Sequence, residues 1–197
     1  MFGCLRNDVD AFTSVDPACE GTTRLGELGA SYVDQPTGVT TMPLYRCAVN
    51  GQRFDSNSTT CEGQTVDGLL GYVPAYAPLV RYVLPRTGDH SADAAGPPQG
   101  YRFEGTFGLV ARTNEAGTQA LQSCVDGSDR FLSTDVACAG KTVETRVGFI
   151  WTQPPAGRPN AQVFQCATNT RAELFVSREP ACEGQTVRGS LGYVLTS

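Results

Sequence analysis

A chain of 197 residues with a net charge of −5, one lysine, one histidine and only 18% charged residues excludes several functions at once. Nucleic-acid binding needs a basic footprint on phosphate, and none is present. No apolar run approaches the roughly 20 residues of a membrane-spanning helix, and one histidine cannot build a histidine-rich metal site.

Read in chain order, the elements recur. Cys4 is followed by Phe12, then Ser14, then Cys19, then Gly29. The same series returns as Cys47, Phe54, Ser56, Cys61, Gly71; as Cys124, Phe131, Ser133, Cys138, Gly148; and as Cys166, Phe175, Ser177, Cys182, Gly192. From phenylalanine to glycine the spacing is rigid, which implies shared backbone geometry. From the first cysteine to phenylalanine it varies, as a surface turn allows. The segments CEGQTVDGLLGYV (61–73) and CEGQTVRGSLGYV (182–194) show the repetition most directly.

A further unit lies between the second and third of these. PLVRY (78–82) matches PLYRC (43–47), and GYRFEGTFGLV (100–110) matches GQTVDGLLGYV (63–73). Here both cysteine positions are lost together, to Tyr82 and Pro98. Eight cysteines allow 105 pairings. The joint loss selects Cys4–Cys19, Cys47–Cys61, Cys124–Cys138 and Cys166–Cys182, with pairing between neighbouring units as the alternative. An even cysteine set without C-x-x-C spacing indicates disulfides and an oxidising compartment, hence a secreted protein. Met1 is followed by Phe-Gly-Cys with neither a basic start nor an apolar signal core, as expected of a mature chain or recombinant fragment whose export signal has been removed.

Within each unit the pattern is β. MPLYRCAV and AQVFQCAT are short apolar runs, DRFLST and ELFVS alternate in polarity, and VRGSLGYVLT is a third run whose glycines imply a bulge or close packing. Between the phenylalanine run and the second cysteine, Ser-x-Asp and Ser-x-Glu suit a helical or 3₁₀ turn. The glycine two residues past the cysteine position (Gly21, Gly63, Gly100, Gly140, Gly184) suits a left-handed turn after it. The sequence therefore predicts an all-β single domain of five repeats, about 3–33, 43–73, 78–110, 120–150 and 162–194. Five units too small to hold separate cores can stack in a ring, and a five-bladed β-propeller closed by repeat 5 on repeat 1 is the expected architecture. A solenoid is the alternative.

The motifs PLVRY, GDHSAD (88–93) and GYRFEG (100–105) of the third unit resemble a repeat of unknown function in secreted bacterial proteins, which reads P-L-Y-R-x-Y, G-D-H-F-Y-T and G-Y-x-x-E-G. The other four units resemble a cysteine-containing branch of it, and Ser91 replaces the family's aromatic residue in the third. Such repeats accompany secreted hydrolases and wall-degrading enzymes, so the resemblance implies a targeting or binding role.

No catalytic constellation is evident. His90 has Asp89, Ser91 and Asp93 as chain neighbours, which cannot form a triad from one strand, and no nucleophile elbow is present. CAGKT (138–142) lacks the first glycine of a phosphate loop. Glu20, Glu62 and Glu183 recur in three units, which points away from a unique catalytic pair. Asn57-Ser58-Thr59 is a glycosylation sequon. The expected function is non-catalytic and lectin-like: carbohydrate or cell-wall polymer bound at several weak sites, with a protein-binding or structural module as the alternative. No cofactor, metal, nucleic acid or membrane insertion is expected. The candidate ligand-binding residues are Arg53, Asp89, His90, Asp129 and Arg130, repeated polar positions beside the phenylalanine strand, and Trp151 in a proline-rich loop.

Overall fold

The computed structural model describes residues 1–170 and 173–196. The fold is all-β, and each repeat supplies three strands. Repeat 1 gives β1 (Phe2–Arg6), β2 (Asp10–Ser14) and β3 (Thr23–Glu27); repeat 2 gives β4 (Thr41–Val49), β5 (Gln52–Ser56) and β6 (Thr65–Pro74). Repeat 3 gives β7 (Tyr76–Leu84), β8 (Asp89–Asp93) and β9 (Arg102–Ala111); repeat 4 gives β10 (Thr118–Asp126), β11 (Asp129–Ser133) and β12 (Thr142–Trp151). Repeat 5 gives β13 (Asn160–Ala167), β14 (Leu174–Ser177) and β15 (Thr186–Leu195).

In every repeat the first strand is central and pairs antiparallel with the other two. The hairpin chemistry is local. At β4–β5 the two turn residues, Asn50 and Gly51, both have positive φ, the conformation that matches strand twist. The serine of each cysteine-containing repeat then accepts a backbone N–H two residues on, as Ser56 does from Ser58 at 3.0 Å, which turns the chain toward a short 3₁₀ turn at the second cysteine. The glycine that follows has φ between 79° and 87° in all five repeats, the left-handed conformation expected there.

All four disulfides form within repeats, as Cys4–Cys19, Cys47–Cys61, Cys124–Cys138 and Cys166–Cys182, and no cysteine is free. Repeat 3 replaces its bridge with an apolar cluster of Val80, Tyr82 and Tyr101.

The chain groups into two compact units, Met1–Ala75 and Tyr76–Ser197. In the second, the ends of the third strands pair in a cycle: Phe149 with Ala111, Trp151 with Tyr193 and Leu195 with Leu109. Repeat 5 thus pairs with repeat 3, where the sequence reading expected it to meet repeat 1. The sheets are open, and neither a closed barrel nor a propeller is present among the described residues. The core of this unit takes equivalent residues from each repeat: Leu79, Leu121 and Val163 from the first strands, Ala92, Leu132 and Val176 from the second, Val110, Ile150 and Val194 from the third.

One glycine per repeat permits the cyclic pairing. A side chain at Gly148 would place its Cβ 2.8 Å from the Ala111 carbonyl oxygen, and Gly108 and Gly192 lie closer still to the carbonyls of Leu195 and Trp151. Each has φ between 136° and 158°. The first unit contains one contact of this type: Gly71 sits against the Tyr32 carbonyl, and Tyr32 and Tyr72 exchange backbone hydrogen bonds.

Candidate functional site

Polar side chains beside the phenylalanine strand gather where one repeat meets the next. Their first task is a backbone clasp. The carboxylate two residues before the phenylalanine accepts an N–H from a neighbouring repeat. Asp10 accepts from Arg53 at 2.8 Å, Asp129 from Leu174 at 3.1 Å, and Glu173 from His90 at 3.0 Å. Charge-assisted bonds of this kind are about twice as strong as neutral ones, so these acids serve repeat-to-repeat cohesion.

A second contact is a clamp built on the residue before the first cysteine position. Arg46 reaches into repeat 1: it donates to Glu20, lies 5.5 Å over the Phe12 ring, and pairs with Asp67 of its own repeat at 2.7 Å. Arg81 repeats the arrangement between repeats 3 and 5. It lies 2.8 Å from Glu183, 2.9 Å from the Val176 carbonyl and 2.8 Å from Glu104. The Arg46 bond holds the Glu20 carboxyl below the usual range. Burial pushes Glu183 up, but bonds from Arg81 and Ser177 outweigh it and hold it low as well.

The sequence-predicted residues fall largely within this network. Arg53 pairs with Asp67 at 3.0 Å and lies 4.5 Å over Phe12. The His90 ring nitrogen Nδ1 is 2.6 Å from Glu173, and Arg130 is forked onto Glu144 at 3.2–3.3 Å. Asp89 accepts the Tyr101 hydroxyl. Burial, opposed by that bond and aided by the Glu173 charge, raises the Asp89 carboxyl. Burial and Asp89 push Tyr101 up to about 12. Asp129 is pushed up to about 7, first by burial and then by the neighbouring Asp89 and Glu173 charges, against the lowering effect of the Leu174 N–H. Trp151 is 4% exposed and packs with Ala111, Leu195 and Tyr76, so its ring is core. Asp89, His90, Asp129 and Arg130 are brought together. Arg53 occupies the equivalent place in the first unit, and Trp151 belongs to a different cluster.

The clamp arginine is missing at two boundaries: repeat 4 has Ser123 in its place, bonded to its own Glu144 at 3.0 Å, and between repeats 4 and 5 both clamp acids are lost as well. Gln165 stands in place of the arginine and still donates to the Leu132 carbonyl at 2.7 Å. Ala139 replaces the acid of Glu20 and Glu183, and Arg188 replaces the acid of Asp67, Glu104 and Glu144. Where the clamp would lie there is a groove of about 410 Å³, lined by Phe131, Leu174, Asp129, Lys141, Gln165 and Arg188. Lys141 pairs with Asp126 at 2.8 Å, whereas Arg188 is exposed and has no ion pair among the described residues. Sequence reasoning missed Lys141, Gln165 and Arg188 because it sought what the repeats share. The available signal was departure from the repeat, at Ala139, Gln165 and Arg188 together.

Among the described residues no group of histidine, cysteine, aspartate and glutamate side chains is arranged to hold a metal ion. Among them, too, no helix is long and apolar enough to cross a membrane. Comparison with protein-family models, characterised proteins and solved structures finds no match to the chain.

Proposed function

We propose that this protein is a secreted, non-catalytic binding module that recognises carbohydrate or cell-wall polymer in grooves between neighbouring repeats. The observation that carries the reading is the groove between repeats 4 and 5. It is lined by both apolar side chains (Phe131, Leu174) and polar ones (Gln165, Lys141, Arg188, Asp129), the mixture sugar recognition requires. Four disulfides accord with an extracellular setting, and so does the resemblance of its motifs to a secreted bacterial repeat. A five-bladed propeller-like ring is not part of the proposal, because repeat 5 already pairs with repeat 3.

Of the residues singled out by repetition, this reading keeps Asp129 alone. Arg53 and Arg130 are engaged in ion pairs, His90 is hydrogen-bonded to Glu173, and Asp89 accepts the Tyr101 hydroxyl. The test is a screen of glycans and cell-wall polysaccharides with the intact chain and with the Arg188→Ala and Lys141→Ala variants. Retained polymer that both substitutions release supports the proposal. Binding to no polymer, or binding that neither substitution alters, removes it. A second reading, a protein-binding module, is favoured by a separate observation: the first unit leaves Leu25, Leu28 and Val33 at 59%, 60% and 85% exposure.

A further inference from the structure

In the unit of repeats 3, 4 and 5, every repeat has a neighbour on both sides. In the unit of repeats 1 and 2, one boundary of the same kind is formed and two faces are left over. Three features of that boundary match those within the other unit: the glycine against a carbonyl (Gly71 on Tyr32), the clasp (Asp10 to the Arg53 N–H) and the clamp (Arg46 to Glu20). Repeats 1 and 2 therefore stand to each other as neighbours do in a closed set of three, with one place unfilled.

The unfilled place is apolar where the closed unit is buried. Leu28 is 60% exposed, whereas its equivalents Phe107 and Leu191 are 7% and 5% exposed. Val73 and Leu44 are part-exposed, whereas their equivalents Val110, Ile150 and Val194, and Leu79, Leu121 and Val163, are buried. A hollow of about 280 Å³ opens over Leu25, Leu28, Phe54 and Asp55, deepened because Gly3 brings no side chain to the clamp position. Gly29 keeps the conformation of the packed glycines, φ 134°, yet nothing lies within 4 Å of its missing Cβ.

Charge completes the description. Glu62 of repeat 2 corresponds to Glu20 and Glu183, each of which holds an arginine of the next repeat. Its only partner among the described residues is its own Ser56, at 2.9 Å. The acid of a clamp is in place and the arginine is absent.

We propose that the open face of the first unit docks a single further repeat of the same kind, carried by a partner polypeptide, with an arginine before its first cysteine position that pairs with Glu62. A second copy of this chain does not fit the place. Its repeats 3, 4 and 5 already have both neighbours, and its repeats 1 and 2 come as a pair where one unit is required.

The test uses the whole chain and, as probe, an oxidised polypeptide with the sequence of residues 38–75, which carries the arginine and the glycine the docking requires. One-to-one binding is expected. The Glu62→Arg chain should bind about tenfold more weakly, and a probe with Arg46→Glu should restore binding to that variant, because a swapped pair regains its attraction. As a second measurement, the same segment is joined ahead of residue 1 by a Gly/Ser linker. Hydrogen exchange at Ala30, the position equivalent to the paired Tyr72, Leu109, Phe149 and Tyr193, should then slow by at least about tenfold, as it does when strand ends become paired. Unchanged exchange in the fusion overturns the proposal, whether or not the free probe folds. So does binding indifferent to the Glu62 charge, or a dimer of the chain itself that Leu28→Asp dissociates.

Discussion

Arg81 Nη1 lies 2.8 Å from Glu183 Oε1 and joins residues 102 positions apart. The same guanidinium reaches the Val176 carbonyl at 2.9 Å and lies within 6 Å of the Phe107 and Phe175 rings. It thus fixes repeat 3 against repeat 5, the contact that closes the second unit. Burial lowers the tendency of Arg81 to carry charge, but Glu183 and Glu104 more than compensate, so it stays protonated. Arg81→Ala should cost about 2–3 kcal/mol, because a charged hydrogen bond and ring contacts are lost together. Arg81→Lys should recover only part of this, since an ammonium cannot serve three acceptors in one plane. Chemical denaturation of the two variants measures both values, and a loss below about 0.5 kcal/mol for Arg81→Ala would remove the closure role.

The glycines make a sharper comparison. Gly148→Ala meets both an unfavourable φ and a carbonyl oxygen 2.8 Å from the new Cβ, and Gly192→Ala meets a still closer one. Gly29→Ala meets the unfavourable φ alone. Backbone strain costs about 1–2 kcal/mol, and an immovable carbonyl adds to it. Thermal unfolding should therefore show a small loss for Gly29→Ala and a loss at least twice as large for Gly148→Ala. Equal losses would mean that the carbonyl contact contributes nothing.

The repeats, the strands, the 3₁₀ turn with its left-handed glycine and all four disulfide pairings were legible in the sequence. Each rests on short-range spacing, or on a joint loss such as Tyr82 with Pro98. The mutual arrangement of the repeats was not legible. It depends on which residue of one repeat meets which residue of another, as Leu195 meets Leu109, and no local spacing encodes that. Asp129 was found but assigned outward. Like Asp10 and Glu173, it accepts a strand N–H across a boundary between repeats, so its recurrence reports cohesion. The groove is the reverse case, visible only where Ala139, Gln165 and Arg188 break the pattern.

The repeat without cysteines invites a constructive test. Tyr82 and Pro98 stand at the two cysteine positions, and the Tyr101 N–H donates to the Pro98 carbonyl at 3.2 Å, just as the Gln64 N–H donates to Cys61 at 2.9 Å. The turn closes alike, but Cys61 has φ 49° whereas the Pro98 ring holds φ negative, so position 98 must also turn left-handed, as the second cysteine does in the bridged repeats. The double variant Tyr82→Cys, Pro98→Cys should form a fifth disulfide, detectable as a linked peptide without reduction. A loop of this length contributes about 3 kcal/mol in the chain-entropy account. The lost packing of Tyr82 against Val80 and Tyr101 offsets part of this, so the oxidised variant should exceed its own reduced form in stability by more than it exceeds the parent. Two free thiols in the folded variant would contradict the equivalence.

The last prediction concerns pH. Asp129 titrates at about 7 in the folded chain against an ordinary 3.8, because burial and the charges of Asp89 and Glu173 disfavour its ionised form. The groups around it are Asp89 with Tyr101 on repeat 3, Glu173 and the Leu174 N–H on repeat 5, and the neighbouring Arg130 with His90 nearby. Between about pH 4 and 7 the folded chain holds a proton that the unfolded chain has released. Stability from this group is thus complete below about pH 4, declines as pH rises to about 7, and changes no further above that. Asp89, also raised, acts in the same direction. Asp129→Asn keeps an oxygen to accept the Leu174 N–H and removes the titration. Its melting temperature should match the parent near pH 4 and exceed it by several degrees at pH 8, the shift expected of a change of about 1–2 kcal/mol. Melting curves of both proteins across this range decide the matter: a constant difference at every pH would show that the Asp129 proton is not retained on folding.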